Sequence, residues 1–256
     1  MEERFAGIER LYGPGALARL GSARVTVVGV GGVGGWAAEA LARSAVGGLT
    51  LIDGDEVCVS NTNRQVQALE GAYGKPKVAV LGERLRAIHP RLALVPVQAF
   101  LLPGNLGDLL EPGPDAVLDA CDQLKAKAAL AAYCRERDIP LVVCGAAGGK
   151  TDPTAIEVAD LGASEQDPLL AELRRRLRRE YGFPRGRSFG IRAVFSREPL
   201  RRGGCEAGGR LDCRGALGSA MHVTASMGLI AAGEILRLLL AEGGQGSALE
   251  ASALGT

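Results

Sequence analysis

Short apolar runs alternate with amphipathic stretches from Arg24 to Gly145. RVTVVGV (24–30), LTLID (49–53), LALVPV (92–97), DAVLDA (115–120) and PLVVC (140–144) read as short buried strands. Between them, 33–45, 76–88, 104–111 and 123–138 carry helical spacing. Strand and helix repeated in this order imply right-handed crossovers and a parallel, doubly wound α/β sheet. Beyond Gly149 the rhythm changes. TAIEVADL (154–161) and IRAVFS (191–196) predict two more strands, Ser164 to Tyr181 a helix opened by a serine cap, and 219–241 a long helix. Gly and Arg dominate between Pro184 and Gly218, which predicts a mobile loop or a segment ordered by a partner, and the tail after Gly243 predicts a frayed end.

Composition supports this reading. Hydrophobic residues make up 47% of the 256 positions, aromatics only 4%, and there are 37 glycines, so the core is aliphatic and the turns tight. The run from Ser219 to Ala241 raises the question of a membrane, but His222, Glu234 and Arg237 interrupt it. Each would cost a few kcal/mol at a bilayer centre, so a buried core helix is expected and no membrane partner. The six cysteines (Cys58, Cys121, Cys134, Cys144, Cys205, Cys213) form no CxxC pair, and MEERFAGIERLYG has no apolar stretch of signal-peptide type. Together these predict a cytoplasmic protein with free thiols. Net charge is +1, yet twelve arginines stand against three acids between Arg174 and Arg210, leaving the remainder at −8. Such a basic island attracts phosphate backbones, and five arginines in RRRLRR (174–179) exceed what solubility requires.

The first predicted strand runs directly into Gly29-Val30-Gly31-Gly32-Val33-Gly34 and then a helix, the setting in which backbone amides and a helix N-terminus approach phosphate. Asp53 ends the second strand, 19 residues after Gly34, where an acid accepts ribose hydroxyls. These features alone predict an adenine nucleotide in a Rossmann-like core, with NAD the commonest ligand. The residues after Asp53 argue for ATP. DGDEVCVSNTNRQ (53–65) sets Asp55, Asn61, Arg64 and Gln65 behind the ribose-binding acid, and GKPKV adds Lys75 and Lys77. Cations at this density suit a leaving pyrophosphate and have no purpose around a redox cofactor. DACDQLKAK places Asp119 and Asp122 at the C-terminal end of the fourth strand, where a carboxylate suits Mg²⁺. Taken singly, Arg64 could be a salt-bridge arginine, Lys77 a solvated helix residue, Asp122 a helix cap and Asp55 a turn acid; their combination argues otherwise. The expected layout is one adenylating domain: an N-terminal arm (1–22), the nucleotide core (23–150), a basic substrate-facing segment (151–218) and a packing helix (219–242).

GxGGxG, DxDxVxxSNxNRQ, GKxKV and DAxDxxxxK in combination resemble the ubiquitin-activating enzymes and their bacterial relatives that adenylate sulfur-carrier proteins. The resemblance implies that Gly29, Gly31, Gly32 and Gly34 form the phosphate loop, that Asp53 binds ribose, and that Asn61 and Arg64 engage the phosphates. It also implies that Lys77 holds the pyrophosphate side and that Asp122 binds Mg²⁺. Within that group, GVGGWAAEALARS (32–44), VCVSNTNRQ, KAALAAYCRE, GAAGGKTDPT and DLGASEQDPLLAELRRRLRREYG are similar to the tRNA threonylcarbamoyladenosine dehydratases. The chain departs from them where Ala193-Val194-Phe195-Ser196 replaces a Cys-Val-Phe-Ser run, which puts in doubt any mechanism that needs that cysteine.

The dehydratase resemblance implies an ATP-dependent cyclisation of the modified adenosine beside the tRNA anticodon; whether activation passes through an adenylate or a phosphoryl ester is not legible in the residues, and the family pattern favours the adenylate. Arg174, Arg175, Arg178 and Arg179 would then hold the anticodon stem-loop. Lys150 admits two readings, a substrate or tRNA contact and an exposed loop lysine. Arg10 also admits two, a residue that reaches a partner subunit's phosphates in a homodimer and one that ends a short N-terminal helix. The competing activity is adenylation of a sulfur carrier's C-terminal glycine, with a sulfur-transfer protein as partner; the missing CxxC pairs lower it.

Overall fold

The computed structural model describes residues 2–186, 188–200 and 217–241. In chain order its elements are α1 (Glu2–Tyr12), α2 (Ala16–Ser22), β1 (Arg24–Val28), α3 (Gly34–Arg43), β2 (Gly48–Ile52), α4 (Lys77–Ile88), β3 (Ala93–Val97), α5 (Leu106–Leu110), β4 (Ala116–Asp119), α6 (Leu124–Glu136), β5 (Leu141–Cys144), β6 (Ile156–Asp160), α7 (Pro168–Glu180), β7 (Arg192–Ser196) and α8 (Met221–Leu240). The strands form one sheet in the order β3-β2-β1-β4-β5-β7-β6, parallel except for β6, which runs antiparallel to β7. Strand order reverses between β1 and β4, so the crevice of a doubly wound sheet opens where β1 and β4 end.

The central strands are continuous apolar runs because helices cover both faces. On one face α3 and α8 close over Val25, Val27, Leu49 and Leu118; on the other α6 and α7 close over Val28, Val117 and Val143. α8 is long and apolar enough to cross a bilayer by composition, yet half of it is buried. Val223, Met227, Ala231 and Ile235, at helical spacing, face the core. α3 and α8 approach closely at Gly228, where a methyl group would lie 3.1 Å from both the Ala37 nitrogen and Trp36 Cβ and would strike the Val33 carbonyl.

The expected N-terminal arm is made of two helices, α1 and α2. The expected serine cap is also corrected. Asp167 opens α7 by accepting from the Leu170 amide at 2.9 Å, with Pro168 in the first turn, whereas Ser164 closes a preceding short turn. Of the expected loop between Pro184 and Gly218, residues 187 and 201–216 lie outside the described residues, as does the tail after Gly243.

Candidate functional site

The glycine loop is held from three sides. Gly29 leaves β1 at φ +79, a left-handed conformation that favours glycine, and a methyl there would sit 2.9 Å from the Cys121 nitrogen. The loop is thus pressed onto the end of β4. Just beyond β2, Asp53 accepts from the Val30 amide at 2.8 Å with one oxygen and from the Asp55 amide at 2.9 Å with the other. Its first role is therefore to clamp the loop, leaving its remaining lone pairs for a ribose. Gln67 adds a clamp that sequence reasoning missed: its buried amide donates to the Val30 carbonyl at 2.6 Å. α3 has no side-chain cap and no acid in its first turn; the Gly35 amide is taken by the Gly31 carbonyl at 3.0 Å, and the Gly34 and Trp36 amides are left open to an anion.

Residues 53–77 fold back over this loop. Asn61 is buried and accepts from the Cys58 amide at 3.0 Å, shaping the short turn Val59–Asn61. The chain then returns so that Arg64 Cγ would lie 3.2 Å from a methyl on Gly32, and Gln65 Nε2 would lie 3.7 Å from one on Gly31. Trp36 fixes this return by donating to the Arg64 carbonyl at 3.0 Å, and the Arg64 guanidinium rests on the Ser60 carbonyl (2.9 Å) and Asn63 Oδ1 (3.1 Å). Lys77, at the start of α4, is buried and paired with half-exposed Asp55 at 2.7 Å. An arriving phosphate would compete with Asp55 for that ammonium.

At the end of β4 the two acids separate in role. Asp119 is fully buried, paired with equally buried Lys127 at 2.9 Å, and accepts from the Cys121 amide at 3.1 Å. Burial alone would lower the Lys127 ammonium, but Asp119, with Cys121 and Cys144 beside it, more than offsets that and raises it, so the lysine stays charged. This pair holds the turn that carries Asp122. Asp122 itself is exposed and makes no hydrogen bond or ion pair among the described residues. No cluster of three or more metal-ligating side chains occurs among those residues. A single free carboxylate fits Mg²⁺ held mostly by phosphate and water. The thiols nearby are poor nucleophiles: burial and Asp119 push Cys121 well up, and burial pushes Cys144 up to about 12. Ala193, where the similar sequences carry cysteine, is buried inside β7.

The loop after β5 corrects the reading of Lys150 as an exposed loop lysine. Its side chain is 2% exposed and donates to the backbone carbonyls of Glu198 and Gln166, which need donors inside this crossover. It therefore lies inside the crossover and away from solvent. Residues 217–222 bridge the loops around the crevice: Gly149 donates to the Gly218 carbonyl (2.7 Å), His222 Nε2 bonds the Thr151 carbonyl (2.9 Å), and Asn63 donates to the Ser219 carbonyl (2.6 Å).

The remaining candidate residues lie elsewhere. Arg174 is half-buried and bonds the Ser164 carbonyl and hydroxyl, so it serves the fold first. Arg175 pairs with Glu172, Arg179 with Glu180, and Arg178 Nε donates to the Pro184 carbonyl at 3.4 Å. Arg10 is exposed in the last turn of α1 without a partner among the described residues.

The crevice thus joins a glycine loop, an acid clamp, two cations and a free strand-end carboxylate. The tRNA threonylcarbamoyladenosine dehydratase of Haemophilus influenzae is 46% identical over 245 residues, covering 93% of this chain and 94% of that protein. Its namesake in Escherichia coli is 44% identical over 253 residues, 94% of each chain. The crystal structure of the Escherichia coli tRNA N6-threonylcarbamoyladenosine dehydratase in complex with ATP superimposes with a TM-score of 0.87 over 94% of this chain and 95% of that one, at 44% identity. The ThiF family matches residues 5–253, from the arm to beyond α8, and with that span covered the chain belongs to the ThiF family.

Proposed function

We propose that the chain is an ATP-dependent tRNA threonylcarbamoyladenosine dehydratase, which activates the threonyl carboxylate of the modified adenosine as an acyl-adenylate and lets the neighbouring ureido nitrogen close the ring. The observation that carries this reading is the closure of Arg64 and Gln65 over Gly32 and Gly31, which brings an arginine side chain against the glycine loop at the start of α3, where a triphosphate would lie. Identity of 44–46% along nearly the full length to proteins of that name supports the same substrate.

In the first step a carboxylate oxygen attacks the α-phosphorus and pyrophosphate leaves. Arg64 and Lys77 meet the charge that develops on the departing oxygens, Lys77 shifting from Asp55 toward phosphate. The glycine-loop amides and the first turn of α3 hold the α-phosphate in place. Asp122 would hold Mg²⁺, whose chemistry there is neutralisation of phosphate charge. In the second step the ureido nitrogen attacks the activated carbonyl. A carbon–nitrogen bond forms, the carbon–oxygen bond to AMP breaks, and the nitrogen's proton passes to solvent. Both reacting groups belong to one nucleotide, so proximity drives closure and no enzyme nucleophile is needed; the raised thiols of Cys121 and Cys144 agree with that.

The experiment is to supply ATP, Mg²⁺ and either threonylcarbamoyladenosine-modified tRNA or the C-terminal peptide of a sulfur carrier, and to follow pyrophosphate. Release with the tRNA and not the peptide is expected. The reverse pattern would assign the site to carrier-protein activation.

A further inference from the structure

Gln67 is 1% exposed, and its buried Oε1 has no hydrogen-bond partner among the described residues. Its Nε2 is doubly engaged: it donates to the Val30 carbonyl at 2.6 Å and to Gln65 Oε1 at 3.4 Å. A buried acceptor left unpaired is destabilising. What the arrangement secures is one NH2 group with two diverging donors, one for the glycine loop and one for a neighbouring side chain. The backbone that carries both glutamines is fixed. The Gln65 amide donates to the Asn61 carbonyl at 2.9 Å, the Gln65 carbonyl accepts from the Ala68 amide at 3.1 Å, and the Gln67 carbonyl accepts from the Leu69 amide at 3.0 Å. Val66 between them is buried in the core, and Gly35 leaves room beside it, since a methyl there would sit 3.1 Å from Gln67 Oε1.

The Val30 carbonyl settles the orientation of both side chains in turn. A backbone carbonyl accepts and cannot donate, so the Gln67 carboxamide must present its NH2 there rather than its oxygen. The atom of Gln65 that faces the second N–H of Gln67 must then be oxygen, and the NH2 of Gln65 points away from Gln67. It points at the glycine loop: Gln65 Nε2 lies 3.7 Å from where a methyl on Gly31 would be. Gln65 is itself 7% exposed, and its Nε2 has no acceptor among the described residues. A buried donor without an acceptor, aimed at a loop that receives phosphate, is in place for an anion.

We propose that Gln67 is a positioning residue for the nucleotide: it holds the Gln65 carboxamide with its NH2 toward Gly31, where that group donates to the α-phosphate. Gln67 itself touches no nucleotide. The proposal rests on the reading of the crevice as an ATP site, and it gives AMP, which keeps the α-phosphate, the same contact as ATP.

The test measures AMP and adenosine binding by titration calorimetry to the full chain and to Gln65→Met, Gln67→Met and the double variant, with folding verified by thermal melting. Methionine keeps the length of the side chain and removes its amide. Each single variant is expected to bind AMP about tenfold more weakly, the size of one lost hydrogen bond to a charged group. Adenosine, which has no phosphate, is expected to bind as it does to the parent, because Asp53 still clamps the Val30 amide. The double variant is expected to lie within about twofold of Gln65→Met, since two residues that act through one contact do not add. If Gln67 served only to hold the loop, a shift of Val30 would move Asp53 and weaken adenosine along with AMP. Additive losses would give Gln67 an effect of its own, and either result overturns the proposal. Gln65→Glu keeps the oxygen that Gln67 holds and turns a second oxygen to the loop, so it is expected to bind AMP more weakly than Gln65→Met. That comparison decides if Gln67→Met does not fold: an equal or higher AMP affinity for Gln65→Glu would mean that no donor faced the loop, which overturns the proposal. A parent chain that binds neither AMP nor adenosine would remove the ATP site and the proposal with it. One that binds AMP but forms none from ATP and the modified tRNA would overturn the dehydratase reading alone and leave the binding results to decide the role of Gln67.

Discussion

Asp122 is the residue at which structure and chemistry separate most cleanly. It is exposed and bonded to nothing among the described residues, so removing its carboxylate takes nothing from the fold. Asp122→Ala is expected to keep the parental unfolding midpoint while ATP-dependent turnover falls below detection. Near-normal turnover would sink the metal assignment. Arg64→Ala is expected to cost about 10²–10³ in rate, the size of losing one positioned charge in a transition state, while AMP affinity changes by only a fewfold, because AMP lacks the leaving phosphates. Equal losses in rate and AMP binding would instead make Arg64 a general nucleotide contact. These candidates stand out in the sequence because Gly29 to Gly34, Asp53, Asn61, Arg64, Lys77 and Asp122 fall in short linear blocks, the blocks that carry the family resemblance. Gln67 and Lys127 are not: one is defined by a bond across 37 positions to Val30, the other by a buried pair with Asp119, and neither leaves a local mark. Lys150 escapes sequence reading for the same reason, because only the folded chain brings the carbonyls of Glu198 and Gln166 to it.

At the scale of elements, the crevice depends on how closely α3 can sit on α8. The contact point is Gly228, facing the Val33 carbonyl and the Ala37 nitrogen at the start of α3, the same turn that would receive phosphate. Gly228→Ala is expected to destabilise the protein by about 1–3 kcal/mol through overpacking, read as a lower denaturation midpoint. It should also weaken ATP binding, because the opening turn of α3 must shift to make room. A loss of stability with no change in ATP affinity would uncouple the packing from the site. Strands β1 to β5 are legible because each is a continuous apolar run between helical stretches. The reversed direction of β6 is not, since an edge strand reads the same in either sense until its partner β7 is known. Ser164 and Asp167 both qualify as caps by type, and only the Leu170 bond decides between them.

At the scale of the whole molecule, the N-terminal arm packs at the edge where the strands begin, away from the nucleotide crevice of its own sheet. Phe5 lies 4.9 Å from the ring of His89, and Arg4 donates to the Ile88 carbonyl at 2.9 Å, both just past the far end of α4. Arg10 extends from the last turn of that arm. We propose that in a homodimer it reaches the partner's phosphates. Mixing Arg10→Ala with Asp122→Ala subunits is then expected to restore activity that neither homodimer has, because one of the two sites escapes both lesions. No recovery despite verified subunit exchange would leave Arg10 as a helix-end residue.

The central claim is that ATP activates the carboxylate of the modified tRNA nucleotide as an adenylate. The most direct measurement supplies tRNA whose threonyl carboxylate carries heavy oxygen and follows the label by mass spectrometry after cyclisation. Attack by a carboxylate oxygen on the α-phosphorus, followed by ring closure, leaves one labelled oxygen in AMP and none in pyrophosphate. Label in inorganic phosphate, with ADP as the nucleotide product, would contradict the account and assign the crevice to phosphoryl transfer.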